Sequence, residues 1–305
     1  EAEITDLWGK AAQAAHDIIE WNRYTLEDDY GKLFVGNTSS SPEIILSRRS
    51  TSSNGLEKKN YPIGTPGGNS GVTPSDNLVK AYEYIGAQDP DNPYANRDMR
   101  FYSTIVYNGA RWNGRTIDIS KDGTDSYMAS GASRTGYYLK KYLTDELNIA
   151  NDQKAAHQWI IFRYAEILMN YAEAANEAWG PDDGGHVTTG LTARAALNRI
   201  RSRAGLGEVD LTKYAGASDK EKMRNAIKAE RRVEFAFEGH RYWDLMRWKD
   251  GSVLKEPIAG VRYDGTSYQT IVVEKRVFED HMHRYPIPFT EISKSNGIIE
   301  QNIGW

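Results

Sequence analysis

The chain has 305 residues, 39% of them hydrophobic and 11% aromatic, enough to bury a substantial core. Lys plus Arg number 38 against 42 Asp plus Glu, and this formal charge of −4 provides no electrostatic footprint for nucleic acid. Cysteine is absent, which excludes disulfides, thiolate nucleophiles and sulfur-ligated metals within these residues, and no apolar run is long enough for a transmembrane helix.

In chain order, the first twenty residues predict an Ala-rich amphipathic helix with Leu7, Ala11, Ala15 and Ile18 in register. Pro42 to Ser47 (PEIILS) has strand character. Arg48 to Thr73 is dense in Ser, Asn, Gly and Pro and predicts a long surface loop, the kind of segment that carries function in compact domains. Ser75 and Asp76 cap a short helix through Leu78, Val79 and Tyr82. Phe101 to Tyr107 and Thr116 to Ile119 alternate as strands, with Asn108-Gly109 and Asn113-Gly114 as turns between them. That places Trp112 near a hairpin tip. The stretch containing Gly136 to Leu143 (GYYLKKYL) fits neither period.

Helix is expected to resume near Ala155, with Ile160, Tyr164, Ile167, Leu168, Tyr171, Ala175 and Ala178 recurring every three or four residues until Gly180-Pro181 stops the run. Leu191 to Ala204 predicts a second helix, closed by Gly205, with Arg194, Arg199, Arg201 and Arg203 mostly outward. Thr270 to Phe278 is strand-like, Pro286 and Pro288 fix an extended path, and Ile298, Ile299 and Trp305 predict a packed-down terminus. The fold class is therefore mainly α, with tetratricopeptide-like helix pairs, long irregular loops and a few short strands. Residues 1–305 are expected to form one domain: a helix over 1–30, a loop- and hairpin-rich ligand-facing region over 31–154, and a helical region with its terminus over 155–305.

The run Ala229 to Trp248 (AERRVEFAFEGHRYWDLMRW) is too charged for an ordinary core and too aromatic for a free surface. At helical spacing Glu230, Glu234 and Glu238 form one stripe, and Val233 and Phe237 another. The acidic stripe needs cations, for which Arg231, Arg232 and Arg241 are the local candidates; unpaired, each buried charge would be strongly destabilising. Gly239 lets the chain turn.

No reaction centre stands out. Glu166 with Glu173, or Glu230 with Glu234, could reach the separation of a glycosidase couple, but nearby arginines would depress the acid's pKa, so these carboxylates read as salt-bridge partners. His281 and His283 form a bare HxH, and His157, His186 and His240 lack partners at metal spacing, so no metal or cofactor is expected. Gly64 to Gly71 (GTPGGNSG) has no following Lys and is not a phosphate loop.

Eight Trp and nineteen Tyr against seven Phe favour rings with a polar handle. Sugars offer an apolar CH face and a ring of hydroxyls, which flat aromatics with Asn or Arg forks can hold. The loop residues of those types are Tyr61, Asn69, Tyr94, Arg111, Trp112, Asn113 and Tyr127, the candidate glycan site.

Five strings, NRDMRFYSTIVYNG (Asn96 to Gly109), FRYAEILMNYAEAANE (Phe162 to Glu177), ALNRIRSRAGL (Ala196 to Leu206), the Ala229 to Trp248 run, and YPIPFTEI with the closing QNIGW, together resemble the SusD/RagB family. Ile303 and Phe289 depart from the family's usual Pro and Gln. The resemblance implies a SusD-like α-helical fold and a cell-surface lipoprotein of the outer membrane, anchored by a lipid on an N-terminal Cys outside this chain. It also implies a TonB-dependent transporter of the SusC type as partner and capture of oligo- or polysaccharide without catalysis. A tetratricopeptide-like component that binds protein or peptide in a similar uptake complex is the alternative. Family members are longer, so the chain reads as a C-terminal portion. No binding residue is carried over from a motif.

Overall fold

A computed structural model describes residues 2–305. Helix α1 (Ala2–Glu20) is followed by a 3₁₀ turn at Tyr30–Phe34, strand β1 (Ile44–Arg49), and short helices α2 (Gly55–Asn60), α3 (Asp76–Val79) and α4 (Met99–Thr104). Strands β2 (Ile105–Val106), β3 (Arg111–Trp112), β4 (Arg115–Thr116), β5 (Tyr138–Leu139) and β6 (Gln158–Arg163) come next. The helical part comprises α5 (Tyr164–Trp179), α6 (Ala193–Arg203), α7 (Asp219–Glu234) and α8 (His240–Arg247). A hairpin of β7 (Ile258–Tyr263) and β8 (Tyr268–Glu274) and helix α9 (Phe289–Lys294) close the chain. The strands pair antiparallel as β1-β6, β2-β5, β3-β4 and β7-β8. The protein is mainly α, with helix pairs of tetratricopeptide type and a few short strands.

One core joins α1, α5, α6 and α7. Ala12 and Ala15 of α1 and Ala172 and Ala175 of α5 are all buried in it, and such small side chains let helices approach closely. The helix ends follow their caps. Thr192 accepts from the Ala195 amide, Ser218 and Glu221 form a capping box, and Gly180 and Gly205 end their helices at φ 97° and 74°. A second core lies under the loops and mixes rings, including Tyr61, Tyr94, Phe101, Trp112, Tyr137 and Tyr138, with aliphatic side chains such as Ile105, Ile117, Leu143 and Ile149. A smaller one joins Tyr30, Leu33, Phe34, Tyr142 and Ile160.

Several sequence expectations change here. The buried face of α1 is rotated by one residue, with Ala12, Ala15, His16 and Ile19 inward and Leu7 and Ala11 outward. Residues 99–104 are helical, because Asp98 caps the turn by accepting from the Arg100 amide; only Ile105 and Val106 form strand, and they pair with β5. The Asn113-Gly114 turn is present, with φ 51° and 73°, and closes the short β3-β4 hairpin. The loop after β1 contains α2, which buries Glu57 and Asn60. The helix expected from Ala155 begins only at Tyr164; Gln158 to Arg163, rich in β-branched and aromatic residues, pairs with β1 instead. At the C-terminus Ile303 is 95% and Ile298 86% exposed. That tail is held by hydrogen bonds: Trp305 Nε1 donates to the Arg284 carbonyl at 2.9 Å, and the Gln301 amide pairs with the Ile287 backbone at 2.8 and 2.9 Å.

Candidate functional site

Left-handed backbone is costly for a residue with a Cβ, and more so for a bulky ring. Among the described residues it falls mostly on polar turn residues, but Tyr142 (φ 72°) and Phe237 (φ 64°) also adopt it. Both line the same cavity, of about 740 Å³. Strain of this kind persists only where the surroundings impose it and concentrates at functional sites.

The cavity is walled by the end of β1 (Arg48, Arg49) with Ser50 and Thr51, by Leu56, Lys59 and Asn60 of α2, by His157, Gln158 and Trp159, and by Phe34, Val72, Leu139, Tyr142 and Phe237. The β1-β6 register sets Arg48 opposite Trp159 and Arg49 opposite Gln158. Alternation along β6 buries Gln158 and Ile160 and turns Trp159 outward, leaving it 48% exposed. Its indole stacks on Tyr142 with centroids 5.0 Å apart and planes 22° from parallel. Tyr142 meets Phe34 edge-on at 5.1 Å, and Phe34 meets Tyr30 likewise at 5.1 Å. This tier of rings holds the indole still at low entropic cost, while its half exposure leaves flat apolar area open to a ligand. Burial pushes the Tyr142 phenol well above its usual pKa, and its hydroxyl has no hydrogen-bond partner among the described residues.

Beneath the tier lies a buried ionic hub. Arg163, at the end of β6, reaches Glu43 and Glu234 at 2.6 Å and Glu238 at 2.8 Å. Arg100 pairs with Asp98 and Glu230 at 2.6 Å and with Glu234 at 2.8 Å. Arg201 joins Glu230 at 2.9 Å, and Arg203 joins Glu43 and Glu234. Lys141 Nζ lies 2.7 Å from Glu238, 4.0 Å from the centre of the Phe34 ring, and is lowered by burial to a pKa of about 8 against the pull of Glu238. Burial disfavours the Glu234 carboxylate, but Arg203, Arg163 and Arg100 overcome it and hold its pKa well below the usual range. Arg201 and Arg203 thus point inward, contrary to the outward placement expected from their helix. The partners proposed from local sequence serve elsewhere: Arg231 pairs with Asp244 at 2.9 Å, and Arg232 donates to the Asn77 carbonyl at 2.8 Å.

The glycan candidates read from sequence do not assemble into an exposed platform. Tyr61 and Trp112 do meet, edge-on at 5.9 Å, but they are 0% and 1% exposed, and the Tyr61 hydroxyl donates to the Thr144 carbonyl. Tyr94 is buried among Phe101, Tyr107, Tyr137 and Tyr268. These three rings are part of the loop region's core, packed with aliphatic side chains such as Val79, Ile117 and Leu147, and cannot present a face to a sugar. Asn69 is exposed but donates to the Lys58 carbonyl at 2.9 Å. Tyr127 lies under the Arg262 guanidinium at 4.5 Å. Arg111 is exposed on β3, and Asn113 lines a separate groove of about 530 Å³ beside Arg115 and Asn148. Trp159 and Tyr142 were missed because one stood in a presumed helix and the other in a stretch of no clear period; the alternation of β6 was the available signal for Trp159.

The SusD family profile matches residues 42–305. The chain belongs to the SusD family. A SusD-like protein of Formosa agariphila is 23% identical over 309 residues, covering 97% of this chain and 55% of its own length. A SusD-like protein of Bacteroides fragilis has a solved structure that superposes with a TM-score of 0.82 at 27% identity, covering 99% of this chain and 63% of that one. A structure described as a SusD-like carbohydrate binding protein, also from B. fragilis, gives 0.76 at 30% identity over 95% of this chain and 60% of that one. The chain thus spans under two thirds of the length of these relatives.

Within this SusD-family fold the carboxylates considered for hydrolysis are engaged. Glu230 and Glu234 are buried against arginines, and Glu173 accepts from Arg247 and from Trp248 Nε1 at 2.8 Å. Glu166 has its pKa raised by burial, but its companion in the couple is fixed by those contacts. Among the described residues no group of three His, Asp or Glu side chains could hold a metal, and no helix is long and apolar enough to cross a membrane.

Proposed function

We propose that this protein is a non-catalytic, cell-surface glycan-binding component of a nutrient-uptake complex, holding a sugar ring against Trp159 in the pocket between β1, α2 and β6. The observation that carries the reading is the half-exposed indole stacked on Tyr142, whose backbone is held left-handed. A flat, fixed, partly wet ring suits the CH face of a pyranose. Family membership and the relative described as carbohydrate binding support the same ligand class. The walls are strand, loop and short-helix residues, whereas peptide capture by paired helices would use a groove lined by helix side chains, so the pocket favours sugar over peptide.

By the same family relation, the captured glycan passes to a SusC-type TonB-dependent transporter, and the protein resides at the outer membrane, lipid-anchored outside this chain. Calorimetry of the full-length protein against a panel of oligo- and polysaccharides tests the binding role. Binding of at least one glycan, weakened in Trp159→Ala, is expected; absence of binding across the panel contradicts it. Co-purification with a SusC-type transporter from outer membranes tests the assembly, and recovery of the protein free of any such transporter counts against it.

A further inference from the structure

A neutral sugar is read by amides and carboxylates that fork to vicinal hydroxyls, but the amides of this pocket are engaged elsewhere. Asn60 donates from Nδ2 to the Leu56 carbonyl at 2.9 Å and accepts the Val72 amide at 3.0 Å. Gln158 donates to Ser47 Oγ and accepts from Thr38 Oγ1 at 3.4 Å. No Asp or Glu among the described residues lines the cavity. Among the described residues, the one carboxylate paired with a lining side chain is the buried Glu57, whose Oε2 lies 3.2 Å from His157 Nε2. Arg48, Arg49 and Lys59 remain. All three are exposed, and none makes a side-chain hydrogen bond or ion pair among the described residues. Unpaired guanidiniums are notable in a chain of net charge −4 whose buried Arg100 and Arg163 are each held by three carboxylates.

We propose that the pocket selects an acidic glycan, one bearing a uronate carboxylate or a sulfate ester, with its ring on Trp159 and its anion held by Arg48, Arg49 and Lys59. The proposal rests on the glycan-binding reading of the same pocket. Arg48 is the direct cross-strand neighbour of Trp159, so its side chain leaves the ribbon on the same face, within reach of a substituent on a sugar stacked there. Arg49, opposite Gln158, leaves on the other face and lines the cavity from the end of β1. Guanidinium forks match both carboxylate and sulfate oxygens, and they hold these anions more strongly than they hold a neutral hydroxyl. The three cations are exposed, so their attraction is screened by salt.

The test titrates the full-length protein with matched pairs: an oligogalacturonide with its methyl ester, and a sulfated oligosaccharide with its desulfated form. At low salt the acidic member of at least one pair is expected to bind about tenfold or more tightly than its neutral counterpart. Which pair shows the difference distinguishes uronate from sulfate. Arg48→Gln combined with Arg49→Gln should abolish the difference, and raising the salt should shrink it. Equal or tighter binding of the neutral members, still lost in Trp159→Ala, overturns the acidic preference and leaves the glycan reading intact. An acidic preference that survives the double arginine substitution overturns the role given to this rim. Failure of every member to bind overturns the acidic proposal and the glycan reading together.

Discussion

The buried hub and the rim of the pocket use the same guanidinium chemistry to opposite ends. In the hub, Arg100, Arg163 and Arg203 converge on Glu234, Glu43, Glu230 and Glu238, and each guanidinium is matched by carboxylate oxygens. At the rim, Arg48 and Arg49 are exposed and have no side-chain partner among the described residues. A saturated cation has nothing left to offer a ligand, and an unsaturated one contributes little to folding. The aromatic rings divide the same way: Trp112 fills a core, whereas Trp159 stands half out of one. Residue type alone therefore does not mark a binding site; it is marked by residue type together with unsatisfied capacity.

The largest effect should come from breaking the hub. Glu234→Gln leaves three guanidiniums short of a charge and should cost about 3–5 kcal/mol in denaturant unfolding. Acid should act on the same group more gradually. The folded pKa of Glu234 lies below its unfolded value, so its contribution is full above about pH 4.5 and fades as pH falls through the folded pKa, where the unfolded chain binds more protons. The parent should lose stability steeply on acidification, and Glu234→Gln should show a shallower acid slope; equal slopes would place the acid sensitivity elsewhere.

Trp112→Phe probes the other core and should cost about 1–3 kcal/mol by leaving unfilled volume beside Tyr61, with glycan affinity unchanged while the protein remains folded. The smallest effect is expected at the base of the platform. Tyr142→Phe removes a buried hydroxyl that lacks a partner and keeps the ring, so stability should hold or rise by up to about 1 kcal/mol. A clear loss there would reveal a hydrogen bond that the structure does not contain.

The helices were legible where burial follows a regular period, as in α5 beyond Tyr164 and in α6, closed by Gly205. The start of α5 was not, because QWIIFR continues the apolar run and only its pairing with β1, more than a hundred residues earlier, makes it a strand. Two-residue strands such as β2 and β5 depend wholly on distant partners. Hub partners were hidden for the same reason: Glu234 draws Arg100 and Arg163 from far along the chain, while its sequence neighbour Arg231 turns to Asp244. The candidate site failed on one assumption, that a loop aromatic is an exposed aromatic. Tyr61, Tyr94 and Trp112 instead pack with aliphatic side chains from distant segments into the loop region's core, and the half-exposed Trp159 stands on a strand.

The most direct test titrates one glycan that binds the parent into Trp159→Ala and Trp112→Phe, with a melting curve for each. Trp159→Ala should melt close to the parent, as a half-exposed residue allows, yet bind about tenfold or more weakly; Trp112→Phe should melt lower yet bind as the parent does. Undiminished binding by folded Trp159→Ala, or loss of binding confined to Trp112→Phe, would contradict the assignment of the pocket.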